Sequence, residues 1–311
     1  MKTEKPSIED QLKKFKKRFY LVLTLLFVFI AATGTYLYLN YDYLAFKHFI
    51  TQNYIYTDAL DDLFTKELQR DVKGKYYSYF DDLAISAVTR LIRETNNDRY
   101  TYLYIPEKYK ESKQQEKVEA LMSEVKVQND KTVMLHITNF SSYTYNFVKS
   151  NIGQLKNYPY LIIDLRNNYG GDISVMLKIS TMFLPKGSVM ATDKMRIIDW
   201  TYKSRKEKVL DFKKIIILQN KNTASSSENM IAALRDNLDN VLLIGETTYG
   251  KGIGQFTLPL KRGFAVKATT LKWYTPGGLN IQGKGIKPDI PYVGNNIVQF
   301  ALDNLANLSI K

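Results

Sequence analysis

Short apolar runs alternate with helical patterns along the downstream half of the chain. The runs YLIIDL (160–165), KIIIL (214–218) and NVLLIG (240–245) are typical of strands that are buried on both faces. The stretches between them, GGDISVMLKISTMFL and SSENMIAALRDNL, favour helices, and KTVMLHITNF alternates like a strand. The pattern therefore predicts an α/β core with helices against a largely parallel sheet.

Residues 40–112 have a different, mainly helical pattern. Apolar residues recur at helical spacing in two stretches, first at Leu60, Leu63, Phe64 and Leu68, then at Leu83, Ile85, Val88, Leu91 and Ile92. We interpret this region as a small helical packing region. The charged stretch that follows lacks Gly and Pro, and it fits either a linker helix or a solvated arm.

The N-terminus carries a basic block, KKFKKR at 13–18, and then an uncharged apolar stretch at 19–39. Twenty-one helical residues span about 31 Å, close to the thickness of a bilayer core. Tyrosines at its far end are typical of a membrane interface, namely Tyr36, Tyr38, Tyr41 and Tyr43. The basic block predicts a single-pass cell-membrane anchor with a cytoplasmic N-terminus and an extracytoplasmic downstream part. The alternative is a cleaved signal peptide, for which Ala31-Ala32-Thr33 is a weak cleavage site.

The composition excludes several classes of chemistry for this protein. The chain has no cysteine, which excludes disulfides, thiolate catalysis and cysteine-ligated zinc. The formal net charge of +13 is spread along the chain, and for an exported protein it fits an anionic envelope surface better than nucleic acid. We therefore expect no nucleic-acid partner, no metal and no cofactor.

The stretch IGETTYGKGIGQ (244–255) has the G-x-x-x-x-G-K spacing of a phosphate loop. Such a loop needs Ser or Thr after its lysine and a helix directly afterwards. Here Gly252 follows Lys251, and the next residues are Gly-rich and then strand-like. Nucleotide binding is thus not supported, and Lys251 is either a solvated turn residue or has another role.

Two loops could supply a nucleophile and an oxyanion site. In NTASSSENM (222–230) a tight turn between strand and helix can lift the Ser225 hydroxyl to a helix N-terminus. The alternative is an ordinary capping box, because Ser225 precedes Glu228 by three residues. In DLRNNYGGD (164–172), Gly170 and Gly171 let backbone N–H groups point into a cleft, although a plain loop has the same pattern.

A nucleophilic serine needs a general base. The chain has two histidines: His48 lies just past the apolar span, and His136 lies in a strand opposite its apolar face. Neither is well placed for a triad. A lysine can serve if burial lowers its pKa toward neutrality, and Ser–Lys pairs are a known variant of the triad.

Several segments together resemble the signature blocks of the C-terminal processing (tail-specific) peptidases. They are, in order, NDRYTYLYIPEKYKE, MLHITNFSS, YLIIDLRNNYGG, TASSSENMIAAL, IGETTYGKGIGQ and LKWYTPGGLNIQGKGIKPDI. The resemblance covers roughly residues 80–292. It implies a crotonase/ClpP-like α/β core, an N-terminal helical region, and cleavage of polypeptide substrates by a Ser–Lys dyad.

By position, the resemblance implies Ser225 as nucleophile, Lys251 as general base and Gln255 as the residue that orients the lysine. It also implies an oxyanion hole from the backbone N–H groups of Gly170 or Gly171 and of Ser226, with Asp164 and Arg166 structural. The separation of Ser225 and Lys251 is one residue longer than usual. We place the extra residue in the loop 237–240; if it lies elsewhere, Ser226 is the nucleophile.

The largest departure from the family concerns its PDZ domain. About 18 residues, 111–128, stand where the family usually carries that domain, too few for a domain of at least about 50. The predicted organisation is a cytoplasmic segment 1–18, an anchor 19–39, a helical region 40–112, a linker 113–128 and a peptidase core 129–311. A homodimer and a separate regulatory partner are both left open. The alternative function is a catalytically silent peptide- or ligand-binding scaffold of the same fold.

Overall fold

The computed structural model describes residues 7–56 and 81–308, apart from the side chains of 81–84 and 306–308. The first predicted helical stripe, Leu60 to Leu68, therefore lies outside the described residues. The helices are α1 Ile8–Leu39, α2 Tyr41–Asn53, α3 Asp81–Thr95, α4 Pro106–Ala120, α5 Ser142–Ser150, α6 Ile152–Leu155, α7 Ile173–Thr181, α8 Ser226–Asn237 and α9 Ile297–Leu308. The strands are β1 Tyr102–Tyr104, β2 Glu124–Asn129, β3 Thr132–His136, β4 Tyr160–Asp164, β5 Val189–Met195, β6 Asp199–Lys203, β7 Lys214–Gln219, β8 Val241–Gly245, β9 Ile253–Pro259, β10 Ala265–Tyr274 and β11 Ile290–Pro291.

The larger sheet has six strands in the order β11-β8-β7-β4-β3-β2. All neighbours are parallel except β2, which pairs antiparallel with β3. The expected α/β core with a largely parallel sheet is confirmed. Its three central apolar runs form β4, β7 and β8, because strands covered on both faces have no polar side to present.

Alternate residues of β7 enter two different cores, as the two-residue period of a strand requires. Ile215 and Ile217 face the core that α5, α7 and α8 cover. Ile216 and Leu218 face the opposite core, which α9 closes. The sheet is thus covered by helices on both faces.

A second, antiparallel sheet was not predicted. Its long strand β10 pairs with β1 and β5 and, on its other side, with β9, while β6 pairs with β5. Leu271 and Trp273 of β10 enter the core shared with α7 and α8. Val266 and Ala268 pack against α2 and α3 on the other face. Single strands of this sheet alternate weakly in sequence, because each is only partly buried.

The N-terminal helices pack against the second sheet. Phe46 and Ile50 of α2 and Ile85, Val88 and Ile92 of α3 are buried there. Tyr43 also belongs to this core at 8% exposure, so its expected place in an interfacial aromatic belt is wrong. Helix α1 has no buried residue, and it is long and apolar enough to cross a membrane; a signal sequence has the same properties.

The charged segment 113–128 contains parts of two successive secondary-structure elements. Its first part ends α4, an exposed helix that starts with Pro106. Its last part forms β2, which lies at one edge of the large sheet. The sheet therefore begins before residue 129, where we had placed the start of the core.

One buried carboxyl in β5 makes the stability of the fold depend on pH. Asp193 is 1% exposed, and burial raises its pKa to about 6, against a weaker opposing effect of the Tyr202 hydroxyl. Below about pH 3 the group is protonated in both the folded and the unfolded chain. As the pH rises toward 6, the unfolded chain ionises first, so the free energy of unfolding falls, by about 3 kcal/mol in total.

We expect Asp193→Asn to raise the free energy of unfolding at pH 8 by up to about 3 kcal/mol, because the amide carries no charge into the core. The gain should shrink toward zero as the pH approaches 4. Denaturant unfolding in neutral detergent, followed by circular dichroism at several pH values, measures it. Asp199→Asn, at an exposed position of β6, is the matched control. The change that it causes in the free energy of unfolding should be the same at pH 8 and at pH 4. A gain for Asp193→Asn that is equal at pH 8 and pH 4 would contradict the assignment.

Candidate active site

Three loops that contain the candidate residues leave neighbouring strands at the same edge of the large sheet. Strands β4, β7 and β8 are adjacent and parallel. The Gly170–Gly171 loop follows β4, the turn before α8 follows β7, and the Lys251 loop follows β8. Because the carboxyl ends of parallel strands meet at one edge, segments that are far apart in sequence lie together there.

Ser225 is the N-cap residue of α8 and has an unusual backbone conformation. Its φ is 57° and its ψ is −119°, in a region that side-chain-bearing residues rarely adopt. The sharp strand–turn–helix connection lifts a half-buried side chain above the sheet edge at the positive end of the helix.

The two serines that follow are buried, and their hydroxyls are engaged. Ser226 Oγ donates to the carbonyl of Gly171 at 2.9 Å, and Ser227 Oγ donates to the carbonyl of Asn168 at 3.0 Å. Both hydroxyls hold the turn against the loop that follows β4. Of the three consecutive serines, Ser225 is the most accessible.

The glycine pair packs directly against this turn. A Cβ on Gly170 would lie 2.9 Å from Ser225 Cβ, and one on Gly171 would lie 2.4 Å from the carbonyl oxygen of Phe140. Both glycines also have positive φ, so a side chain is excluded on two grounds.

The three predicted oxyanion donors are not equivalent. The N–H of Gly170 donates to Asn168 Oδ1 at 2.9 Å and is therefore occupied. Ser226 is the first residue of α8, where a backbone N–H has no acceptor within the helix. Within the described residues, no hydrogen bond from the N–H of Gly171 or of Ser226 is recorded. These two groups are available for a ligand.

The Glu228 carboxylate joins the serine turn to the lysine loop. It is fully buried and accepts four hydrogen bonds. Oε2 accepts from the backbone N–H of Ser225 at 2.7 Å and of Lys251 at 2.9 Å. Oε1 accepts from the backbone N–H of Gly250 and from Thr248 Oγ1, both at 2.6 Å. Burial raises the pKa of Glu228, and these four donors oppose that rise.

Lys251 lies in an environment that disfavours its charge. Burial lowers its pKa to about 8; nearby Lys267 adds to this effect, and the carboxylates of Glu228 and Asp98 oppose it. Its Nζ donates to Gln255 Oε1 at 2.9 Å and lies 4.7 Å from the centre of the Tyr100 ring. No hydrogen bond from Nζ to Ser225 Oγ is recorded, although both residues are described.

The lysine loop is held by the second sheet. Trp273 Nε1 of β10 donates to the carbonyl of Lys251 at 2.8 Å, and Gln282 Oε1 accepts from the N–H of Gly252 at 2.8 Å. Strand β9 begins directly after this loop, at Ile253. A strand rather than a helix follows the G-x-x-x-x-G-K spacing, as the sequence predicted, so the loop lacks the helix of a phosphate loop.

The sequence did not assign three of the residues that shape this site. Glu228 was interpreted only as a helix cap, although it contacts both loops. Tyr100 comes from the segment before the core, and Trp273 comes from the second sheet. The block resemblance covered both segments, but only the folded chain shows that they contact Lys251.

Asp164 and Arg166 form a close ion pair, with Nη2 2.6 Å from Oδ2.

The chain matches known proteins over the region that carries the site. Residues 131–292 match the model of peptidase family S41. The carboxy-terminal processing protease CtpA of Bacillus subtilis (strain 168) is 38% identical over 176 residues, which are 56% of this chain and 37% of that protein. The "Probable CtpA-like serine protease" of Staphylococcus aureus (strain COL) is 30% identical over 242 residues, 74% of this chain and 45% of that protein. The chain thus spans less than half of the length of these relatives.

Solved structures show the same fold at low sequence identity. The photosystem II D1 C-terminal processing protease superposes with a TM-score of 0.61 at 16% identity, over 81% of this chain and 92% of that one. A lipoprotein from Streptococcus agalactiae superposes with a TM-score of 0.65 at 18% identity, over 86% of this chain and 96% of that one. The matched family model covers more than half of the chain, and we conclude that the protein belongs to peptidase family S41, among the C-terminal processing serine proteases.

Proposed function

We propose that the chain is a serine endopeptidase in which Ser225 is the nucleophile and Lys251 the general base. The observation that carries the proposal is the shared Glu228 oxygen, which binds the backbone N–H groups of both residues. The lowered pKa of Lys251 supports it, because a general base must be neutral when it accepts a proton. A crotonase/ClpP-like core remains part of this proposal, with its start moved from residue 129 to β2 at Glu124.

The reaction would proceed through an acyl-enzyme. Ser225 Oγ attacks the carbonyl carbon of the scissile bond, and its proton passes to neutral Lys251 Nζ. The oxyanion that forms is stabilised by the N–H groups of Gly171 and Ser226. Lys251 then gives the proton to the leaving amine, and a water molecule hydrolyses the ester with Lys251 again as the base.

Gln255 would control where the lysine points. In the structure its Oε1 accepts from Nζ, and no hydrogen bond from Nζ to Ser225 Oγ is recorded between these described residues. A neutral amine held in this way keeps its lone pair free to accept a proton. The Tyr100 ring lies against Nζ, with its centre 4.7 Å from the nitrogen. We therefore interpret the structure as a resting arrangement of the dyad.

The substrate would be a polypeptide, cleaved near its C-terminus or in an unfolded segment. This follows from the names of the relatives, which are C-terminal processing proteases. In place of a PDZ domain, the helical region or a separate partner would select substrates. The alternative is a binding scaffold, which the missing hydrogen bond between Ser225 and Lys251 favours.

We expect Ser225→Ala to lower the hydrolysis of an unfolded protein such as casein by at least about 10³-fold, because the nucleophile is lost. Ser226→Ala should cost less than about tenfold, since it removes one buried hydrogen bond worth about 1 kcal/mol. A fluorophosphonate probe followed by mass spectrometry should label Ser225 alone. Labelling and loss of activity at Ser226 would assign the nucleophile there, whereas an inert chain would favour the scaffold.

We expect kcat/KM to rise with pH and to level off above an apparent pKa near 8, because only the neutral amine of Lys251 accepts the proton. Gln255→Glu should move this pKa upward by about 1 unit, since a carboxylate beside Nζ stabilises the ammonium form. Lys251→Met should be inactive at every pH. Initial rates with a peptide substrate between pH 6 and 10 provide the measurement. If kcat/KM did not change with pH, or if Gln255→Glu did not shift the apparent pKa, the role of Lys251 would be contradicted.

We further propose that α1 anchors the catalytic part outside the cytoplasm. The far end of α1 contacts the turn between β9 and β10, because Lys261 Nζ lies 4.3 Å from the ring centre of Tyr38. In right-side-out membrane vesicles, added protease should degrade the catalytic part, and the chain should remain in the membrane fraction after a high-salt wash. A core that is protected, or that is released in soluble form without α1, would contradict the anchored orientation.

A further inference from the structure

Strand β6 forms an edge of the second sheet. It pairs with β5 on one side, and none of the described residues hydrogen-bonds to its outer side. Such an edge presents a row of unsatisfied N–H and C=O groups, which an extended peptide can pair with as an added strand. Four of its five residues are exposed.

A cavity of about 580 Å³ lies beside this edge, between β6, α7 and the loop that follows β6. Its apolar lining comes from Leu177 and Met182 at the end of α7, Met190 of β5 and Val209 of the loop. Trp200 of β6 also lines it and is 47% exposed. A volume of this size accepts one or two large apolar side chains.

The rim of the cavity is strongly basic. Lys178, Lys203, Arg205 and Lys206 line it, with Glu207 as the one acidic lining residue. Among the described residues, none of the four cations forms a recorded ion pair, and Lys178 lies 5.7 Å from the centre of the Tyr145 ring. Asp193 of β5 is the cross-strand partner of Trp200; it is buried and is not among the residues that line the cavity. The charge at the rim therefore fits an anionic partner.

Helix α7 connects this cavity to the proposed catalytic centre. The helix begins directly after Gly170 and Gly171, and Leu177 and Thr181 in its second half line the cavity. These residues lie about 6 to 10 positions along the helix from Gly171, or about 9 to 15 Å. An extended peptide covers that distance with about three to five residues.

We propose that β6 and the adjoining cavity form a substrate subsite for an extended acidic segment of the polypeptide, which pairs with the edge of β6 and inserts an apolar side chain. This inference rests on the proposed peptidase function and names the substrate class for it. The unpaired backbone edge favours a polypeptide over a lipid, because a lipid offers no matching row of donors and acceptors. Glutamates or aspartates on either side of the inserted residue would contact the cationic rim.

The fluorescence of Trp200 provides a direct measurement of peptide binding. The chain has two tryptophans, and the other, Trp273, is 3% exposed. Full-length Ser225→Ala protein in neutral detergent, titrated with a decapeptide of alternating leucine and glutamate, should show a saturable blue shift of tryptophan emission. The same peptide with lysine in place of glutamate should bind at least tenfold more weakly. Trp200→Phe should lose the signal but keep binding, as measured by anisotropy of a labelled peptide.

A charge-reversal pair tests the rim. Arg205→Glu with Lys206→Glu should weaken binding of the acidic peptide at least tenfold. The matched control, Lys126→Glu with Lys131→Glu, makes the same change in net charge at exposed positions of β2 and of the turn that follows it, and should leave binding within about twofold. Thermal unfolding of each variant checks that it is folded. Equal loss in both double variants would overturn the subsite.

Peptide chemistry tests the edge pairing. Two versions of the acidic peptide are compared, one N-methylated at the odd-numbered backbone amides and one at the even-numbered amides. In a paired strand only every second N–H faces β6, so one of the two versions should not bind. Unchanged binding of both versions would overturn strand addition. A blue shift produced by anionic vesicles but not by peptide would assign the cavity to a membrane surface. Self-association that Arg205→Glu abolishes, without peptide binding, would assign it to a second copy. Both results overturn the proposal.

The subsite and the peptidase function fail in different ways. If the protein with Ser225 cleaves no polypeptide but Ser225→Ala still binds the acidic peptide, the peptidase proposal fails and the subsite stands. If the protein cleaves acidic and basic peptides with equal kcat/KM, and reversal of Arg205 and Lys206 changes neither, the subsite fails and the peptidase proposal stands.

Discussion

One buried carboxylate organises the candidate site. Glu228 has no contact with water, and its charge is stabilised by donors from two loops that lie more than twenty residues apart. Removing such an acceptor would leave several buried N–H groups without partners, each at a cost of about 1–3 kcal/mol. The position of the lysine loop relative to the serine turn therefore depends on this residue, and a glutamate that a capping motif explains has a second, long-range role.

The surroundings of Glu228 contain the features that are costly in an ordinary fold. Ser225 has a strained backbone, Lys251 is a partly desolvated amine, and Gly170 lies where no side chain fits. Proteins retain such strain where the rest of the structure over-determines it, and functional sites are where it concentrates. Here the parallel sheet and α8 supply that support, because their apolar residues are almost completely buried.

Each of the two sheets contributes different residues to the candidate site. Parallel strands β4, β7 and β8 deliver the glycine loop, the serine turn and the lysine loop to one edge. The antiparallel sheet then contributes the groups that enclose the lysine, among them Gln255 and Trp273. The same antiparallel sheet ends in β6, whose free edge and basic cavity lie along α7 from the glycine loop. The surroundings of Lys251 and the proposed subsite for an extended chain thus both depend on one sheet.

The sequence by itself determined the parallel core, and it singled out Ser225, Lys251, Gln255 and the glycine pair as candidate site residues. Continuous apolar runs such as those of β4, β7 and β8 are typical of strands covered on both faces, and the blocks around Ser225 and Lys251 stand in a recognisable order. The antiparallel sheet was not predicted, because a short, mostly exposed strand such as β6 has no continuous apolar run. Tertiary structure alone decided that Glu228 bridges two loops, that Tyr100 covers Lys251, and that Gly170 is an occupied donor while Gly171 is not. Contacts of this kind join residues far apart in the chain, and local propensity and periodicity carry no information about which distant backbone a side chain will meet.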